Sequence, residues 1–382
     1  MEQEKTVTME LSASRVLRFG LILGVLLLVG ACAPPPAKET QRFFWPLPPN
    51  QPRIEYIGFI QSDQDVREGG ENALKTAILG RERPQPLFEK PMAVLGRKDS
   101  VLVTDAGLGK VLFLDFSGHQ IRYLQNKDGK DIPFRLPVDL AEDDQGRIYV
   151  ADSLQKAIFV FSPEGKELYS FKSGELNRPV GLAVDSARQR LLLVDAERQA
   201  VLLFGLEGDF RGSFGKRGSG EGEFNFPLDL DLDPQGNIYV LDSLNARVQI
   251  FDPEGHFLRT FGSRGTNPGS FQLAKSIAVS RFGQIYVTDS LAHNFVIFDL
   301  QGRYLQTIGG KHWSGSGKVV PGGFYMPEGV DVDAEGSIWI VDGLNRMLHH
   351  YQYLTEAYLQ AHPIEPGQAY LPPALKNMDR VQ

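Results

Sequence analysis

The 382-residue chain contains a single cysteine, Cys32, so it forms no internal disulfide and builds no multi-cysteine metal site. It has no basic block and a net charge of −7, which disfavours a general binder of phosphate backbones, because that task needs clustered Lys and Arg. No C-x-x-C-H occurs, so no covalent haem is expected. The seven histidines show no spacing that gathers three zinc ligands, and no Ser/His/Asp or Cys/His set can be assembled. Three glycine-rich segments, 215–224, 262–271 and 309–324, lack the G-K-[ST] ending and do not lead from a strand into a helix. They read as connections, with Phe224, Phe271 and Phe324 tucked between neighbouring units. After the N-terminal region, helical patterning is confined to residues 64–83, around ENALKTAILG.

What is present begins with 40 Gly and 24 Pro, a supply of turn residues that suits an all-β chain. Residues 19–30, FGLILGVLLLVG, follow Arg15 and Arg18. This run is too short to span a bilayer as a helix but suits the apolar region of a secretory signal. The string that closes it, Val29-Gly30-Ala31-Cys32, resembles the lipobox of bacterial lipoproteins. The resemblance implies cleavage after residue 31 and a diacylglycerol on Cys32, which would tether the chain to a membrane. Residues 32–52 then read as a Pro-rich spacer. No Asp follows Cys32, which by the same resemblance implies the outer membrane, facing the periplasm or the cell surface.

The rest of the chain repeats itself. IYVLD at 238–242 is echoed by IYVTD at 285–289 and IYVAD at 148–152. Taking the Asp that ends each apolar run gives Asp105, Asp152, Asp195, Asp242, Asp289 and Asp342, spaced by 47, 43, 47, 47 and 53 residues. Fixed spacing in this range marks a repeat architecture. Each unit parses into four short strands joined by turns such as Asp233-Pro234-Gln235-Gly236. Such a sheet has two apolar faces and cannot stand alone in water. Stacking six of them around an axis predicts a six-bladed β-propeller of four-stranded antiparallel blades. The sixth unit lacks its fourth strand, and EYIGFI at 55–60 matches the fourth strand of the fifth unit, RYLQTI. The last blade is therefore expected to be completed by an N-terminal strand. The expected layout is a signal at 1–31, a spacer at 32–52, a closing strand at 53–60, a helical insertion at 61–86, repeats over 87–354 and a tail at 355–382.

From Phe88 to Leu354 the motifs P-x-G/D-φ-x-φ-D, G-x-I-Y-V-x-D-S-x-N-x-R-φ and F-D-x-x-G-x-φ resemble the NHL repeat, best in the fourth unit. Units one and three, RKDSVLVTDAG and SARQRLLLVDAE, lack the Gly before the second strand. The resemblance is to bacterial NHL-repeat propeller lipoproteins, a wider fold that serves protein or RNA binding as well as metal-dependent lactonases and lyases. It implies ligand sites where the first strands begin. Those positions are Met92, Val138, Val180, Leu228, Lys275 and Glu328, and none is the His that holds zinc in amidating lyases of this type. The P-N-G and S-P-D-G strings of calcium lactonases are also absent.

Candidate channel-mouth contacts are Asp139, Asp229, Lys275 and Glu328, the last two an ion pair or a polar ligand contact. Asp231 and Asp331 are weaker metal candidates, since carboxylates on first strands suit Ca²⁺ but also fit a water-filled channel. No cofactor is predicted. The favoured expectation is a lipid-anchored, non-catalytic module that binds an extracytoplasmic protein through loops 125–136, 213–226 and 308–326. The alternative is a Ca²⁺- or Zn²⁺-dependent hydrolase or lyase at the channel mouth.

Overall fold

The computed structural model describes residues 42–47, 50–67, 83–316 and 318–364. Cys32 and its lipobox, most of the expected helical insertion and the end of the tail lie outside them.

Six antiparallel sheets form a ring. Their innermost strands are Pro91–Arg97, Pro137–Glu142, Pro179–Asp185, Pro227–Leu232, Ala274–Val279 and Pro327–Val332. Each packs against the next, and the last packs against the first. The protein is a six-bladed β-propeller, with four strands each in blades 1 to 5. Second strands such as Ile238–Asp242 are buried at every residue because neighbouring blades cover both faces. Outer strands such as Glu167–Lys172 alternate between partly covered and exposed. Buried apolar residues fall into six clusters, and each bridges one pair of adjacent blades. Phe224, Phe271 and Phe324 are fully buried in three of them, as the sequence suggests.

Blade 6 closes the ring as expected. Ile54–Ile60 pairs antiparallel with Met347–Tyr353, so the outer strand of the last blade comes from the start of the propeller. The closing strand carries a neighbour that composition does not announce. Phe43–Trp45 pairs with residues 54–56 as a fifth strand, inside the stretch that reads as spacer. Its cause is burial: Phe44 and Trp45 are covered, and Trp45 lies 5.9 Å from the Tyr351 ring. Arg42 donates twice to the buried Glu55, at 2.6 and 2.8 Å, and donates to the Pro363 carbonyl at 2.8 Å. Tyr358, on the short helix Glu356–Ala361, donates to the same carboxylate. The beginning of the propeller and the first part of the tail are thus tied together. Within the expected insertion, the described turn of helix, Gln64–Arg67, packs on outer strands of blades 6 and 1, away from the channel.

The repeated aspartates are turn anchors. Asp105 accepts the N–H groups of Glu89, Lys90, Gly107 and Leu108, and Asp195 accepts those of Asn177, Arg178, Glu197 and Arg198. All six are fully buried. Each joins the turn after the second strand to the segment that enters the first, which fixes the height of the mouth. Where unit three lacks its turn glycine, a single 3₁₀ turn takes over and Gln189 adopts the left-handed conformation, φ 49°.

Candidate ligand-binding mouth

First strands begin on the face that also carries the turns after the second strands, because Pro91 pairs with Asp105, Pro227 with Asp242, and so on. Equivalent residues of six blades form stacked rings around the axis. The rim ring is Lys90, Leu136, Arg178, Phe226, Leu273 and Met326. Below it stand Met92, Val138, Val180, Leu228, Lys275 and Glu328. Apart from Met326, these residues line an open cavity of about 420 Å³.

In the ring below the rim its walls are apolar over blades 1 to 4, formed by Met92, Val138, Val180 and Leu228. On blades 5 and 6 Lys275 and Glu328 face each other, with Nζ 3.4 Å from Oε2. Burial raises the Glu328 pKa, against the opposing pull of Lys275. The structure therefore brings together these two residues predicted from sequence.

The next ring down is Ala93, Asp139, Gly181, Asp229, Ser276 and Gly329. Asp139 accepts the Leu182 N–H at 2.7 Å, and Asp229 accepts the Ser276 hydroxyl at 2.7 Å and the Ile277 N–H at 2.9 Å. Ser276 in turn accepts the Val330 N–H at 3.2 Å. Each reaches the inner strand of the following blade, whose channel-facing amides have no ladder partner on that side. Where the ring residue is Gly, the strands themselves touch. A Cβ on Gly329 would stand 2.6 Å from the Met92 carbonyl oxygen, and one on Gly181 would stand 2.8 Å from the Asp229 Cα.

Asp231 and Asp331 lie deeper, in a second cavity of about 240 Å³ that shares Ala93, Asp139, Asp229 and Ser276 with the first. They repeat the arrangement one step down: Asp231 accepts the Val279 N–H and Asp331 the Gly96 N–H, each at 2.6 Å. The structure thus separates Asp331 from Glu328, and the two do not line one cavity. All four aspartates touch channel space, yet protein surrounds them. Burial pushes Asp231 up to about 8 and Asp331 up to about 6. Asp139 is raised well above the ordinary carboxylate value, by burial first and then by the facing charge of Asp229; burial raises Asp229 as well. Among the described residues no three His, Cys, Asp or Glu side chains converge to hold a metal ion.

Two features of this face escape a reading of the sequence. Lys90 and Arg178 stand at the rim immediately before the opening prolines, a position that the repeat pattern itself could have singled out. The turns after the second strands carry leucines into solvent: Leu154, Leu244, Leu291 and Leu344 occupy one equivalent position and are 45–55% exposed. Trp313, on loop 308–326, is 65% exposed on the same face. Among the described residues the remaining exposed large apolar side chains, Leu108 aside, sit on outer strands and none on turns of the opposite face.

A family model described as a 6-bladed β-propeller matches residues 181–260 and 232–308. Among solved structures, a protein of unknown function from Bacteroides thetaiotaomicron is similar at 15% identity, over 77% of this chain and 75% of that one, with a TM-score of 0.57. A streptogramin B lyase is similar at 12% identity, over 69% and 94%, with a TM-score of 0.50. A catalytically inactive virginiamycin B lyase from Staphylococcus aureus with quinupristin is similar at 10% identity, over 69% and 95%, again at 0.50. At these identities the likeness is one of overall fold alone.

Proposed function

We propose that this protein is an NHL-type propeller lipoprotein of the cell envelope, held at the outer membrane through Cys32, that binds another extracytoplasmic protein without catalysing a reaction. The carrying observation is the asymmetry between its two faces. Leu154, Leu244, Leu291 and Leu344 are exposed at equivalent turns, and rotational equivalence sets them at one height around the mouth. Turn geometry does not demand leucine there, since blade 3 places Glu197 at the same position. Exposed apolar side chains repeated on one face of a rigid disc are the composition of an interaction surface. Loops 125–136, 213–226 and 308–326 frame that face, and Trp313 adds an aromatic anchor of the kind interfaces use.

The test compares envelope proteins retained by the mature chain with those retained by the triple variant Leu154→Asp, Leu291→Asp, Leu344→Asp. Loss of a specific partner in the variant supports the reading. Identical retention, or no specific partner for either, overturns it. Lipid attachment is tested separately by labelling with palmitate, which Cys32→Ala should abolish.

A further inference from the structure

Above its acidic floor the mouth carries three cations against one carboxylate, Glu328. Lys90, Arg178 and Lys275 line the cavity from blades 1, 3 and 5, alternate members of the ring. Lys275 is paired with Glu328, and the charge of Lys90 also acts on that carboxylate. Among the described residues no carboxylate stands within ion-pair distance of Lys90 or Arg178; Arg178 lies over the Phe226 ring at 5.2 Å. Asp139 and Asp229 at the floor are engaged with neighbouring inner strands and repel an anion. Between charged rim and acidic floor the wall is apolar, formed by Val138, Val180, Leu228 and Met92. About 420 Å³ falls inside the roughly 300–1,000 Å³ of small-molecule sites.

We propose that the mouth binds a small amphipathic organic anion, its compact apolar body filling the cavity and its acidic head at the rim with Lys90 and Arg178. A guanidinium and an ammonium both make charge-assisted bonds to carboxylate, sulfonate or phosphate, whereas a cationic head would be repelled. Glu328 opposes such a ligand and competes with it for Lys275. Of the four exposed leucines Leu244 also lines this cavity, whereas Leu154, Leu291 and Leu344 do not, so variants of those three test the two assignments separately.

Three probes with one aromatic body and different charge test it by calorimetric titration of the mature chain: 2-naphthoate, 2-naphthamide and 2-naphthylmethylammonium. Naphthoate is expected to bind saturably at one site, the amide about ten-fold more weakly and the ammonium not at all. Naphthyl phosphate and naphthalene sulfonate, titrated alongside, rank the acidic heads. Arg178→Gln and Lys90→Gln should each weaken naphthoate by about ten-fold with no change in Tm. Glu328→Gln should tighten it, the opposite of what a merely structural ion pair would give. Leu291→Asp, on the turn, should leave it unchanged. Equal affinity for the three heads, no saturable binding of any probe, indifference to both cation substitutions, or weaker binding in Glu328→Gln would each overturn the proposal.

Discussion

Asp331 of the last blade accepts the backbone N–H of Gly96 of the first, Oδ2 to N at 2.6 Å, so a single carboxylate bridges the seam on the channel side. On the outer side the seam is held by the strand Ile54–Ile60, and between them by a cluster that includes Val94, Val103, Trp339 and Leu348. Removing the carboxylate leaves the half-buried Gly96 amide without this partner, which costs about 1 kcal/mol. Asp331→Ala should therefore lower stability to denaturant by that amount. Asp331→Asn keeps an acceptor and should lose much less. If the two variants lose equally, the bond to Gly96 contributes nothing and the seam rests on packing alone.

The channel aspartates also set a pH dependence. An aspartate whose pKa is raised in the folded protein holds its proton more tightly there than in the unfolded chain. Its contribution to stability is complete below the ordinary value of 3.8 and is lost as pH rises through about 6 for Asp331 and about 8 for Asp231. Stability should thus decline between about pH 4 and pH 8. Asp231→Asn mimics the protonated form. It should match the parent only at about pH 3.5, and exceed it progressively up to about pH 8, with a Tm gain of roughly 2–4 °C for each kcal/mol recovered. Parallel melting curves for parent and variant across this range would show that Asp231 is not the titrating group.

Much of this architecture is legible in the amino-acid order because blades repeat. Asp105 and its five equivalents mark the ends of second strands, and the absent fourth strand of unit six points to residues 55–60. What repetition cannot show is anything that occurs once. Phe43–Trp45 lies between prolines and has no counterpart in other blades, so composition reads it as spacer although two of its aromatic side chains are buried. The mouth is legible in part: Lys275 and Glu328 are equivalent residues of adjacent blades, and their pairing follows from rotational symmetry. The channel aspartates are visible as carboxylates on first strands. Their partners are backbone amides of the next blade, and a backbone amide leaves no mark in a sequence.

The fifth strand makes its own prediction. A chain beginning at residue 51 loses Phe44 and Trp45 from the blade and deprives the buried Glu55 of Arg42. It should fold with a lower Tm, and Trp45→Ala alone should cost about 3–5 kcal/mol. A chain beginning at residue 61 additionally exposes the edge of Met347–Tyr353 and opens the ring, and should show no cooperative unfolding transition. Equal melting temperatures for the full chain and the one beginning at 51 would reduce Phe43–Trp45 to a passive edge.

Backbone strain at the turns of the upper face supplies the last prediction. Lys156, Gln199, Ala246, His293 and Arg346 all adopt left-handed φ, 51°, 57°, 54°, 56° and 53°, at the position where blade 1 uses Gly109. For a side chain with a Cβ this conformation costs about 1–2 kcal/mol, because Cβ crowds the following carbonyl oxygen. Ala246 is fully buried among residues of blades 4 and 5, so deleting its Cβ would trade strain for a cavity. Lys156 is exposed, and its side chain packs into no cluster. Lys156→Gly therefore relieves strain without opening a void. Glycine gives back part of the gain through the larger entropy of its unfolded chain, about 0.5–1 kcal/mol. The net expectation is a small stabilisation, on the order of 0.5 kcal/mol, measured by denaturant titration. The same substitution at Ala246 should destabilise, and the opposite signs at two equivalent turns would separate backbone strain from packing.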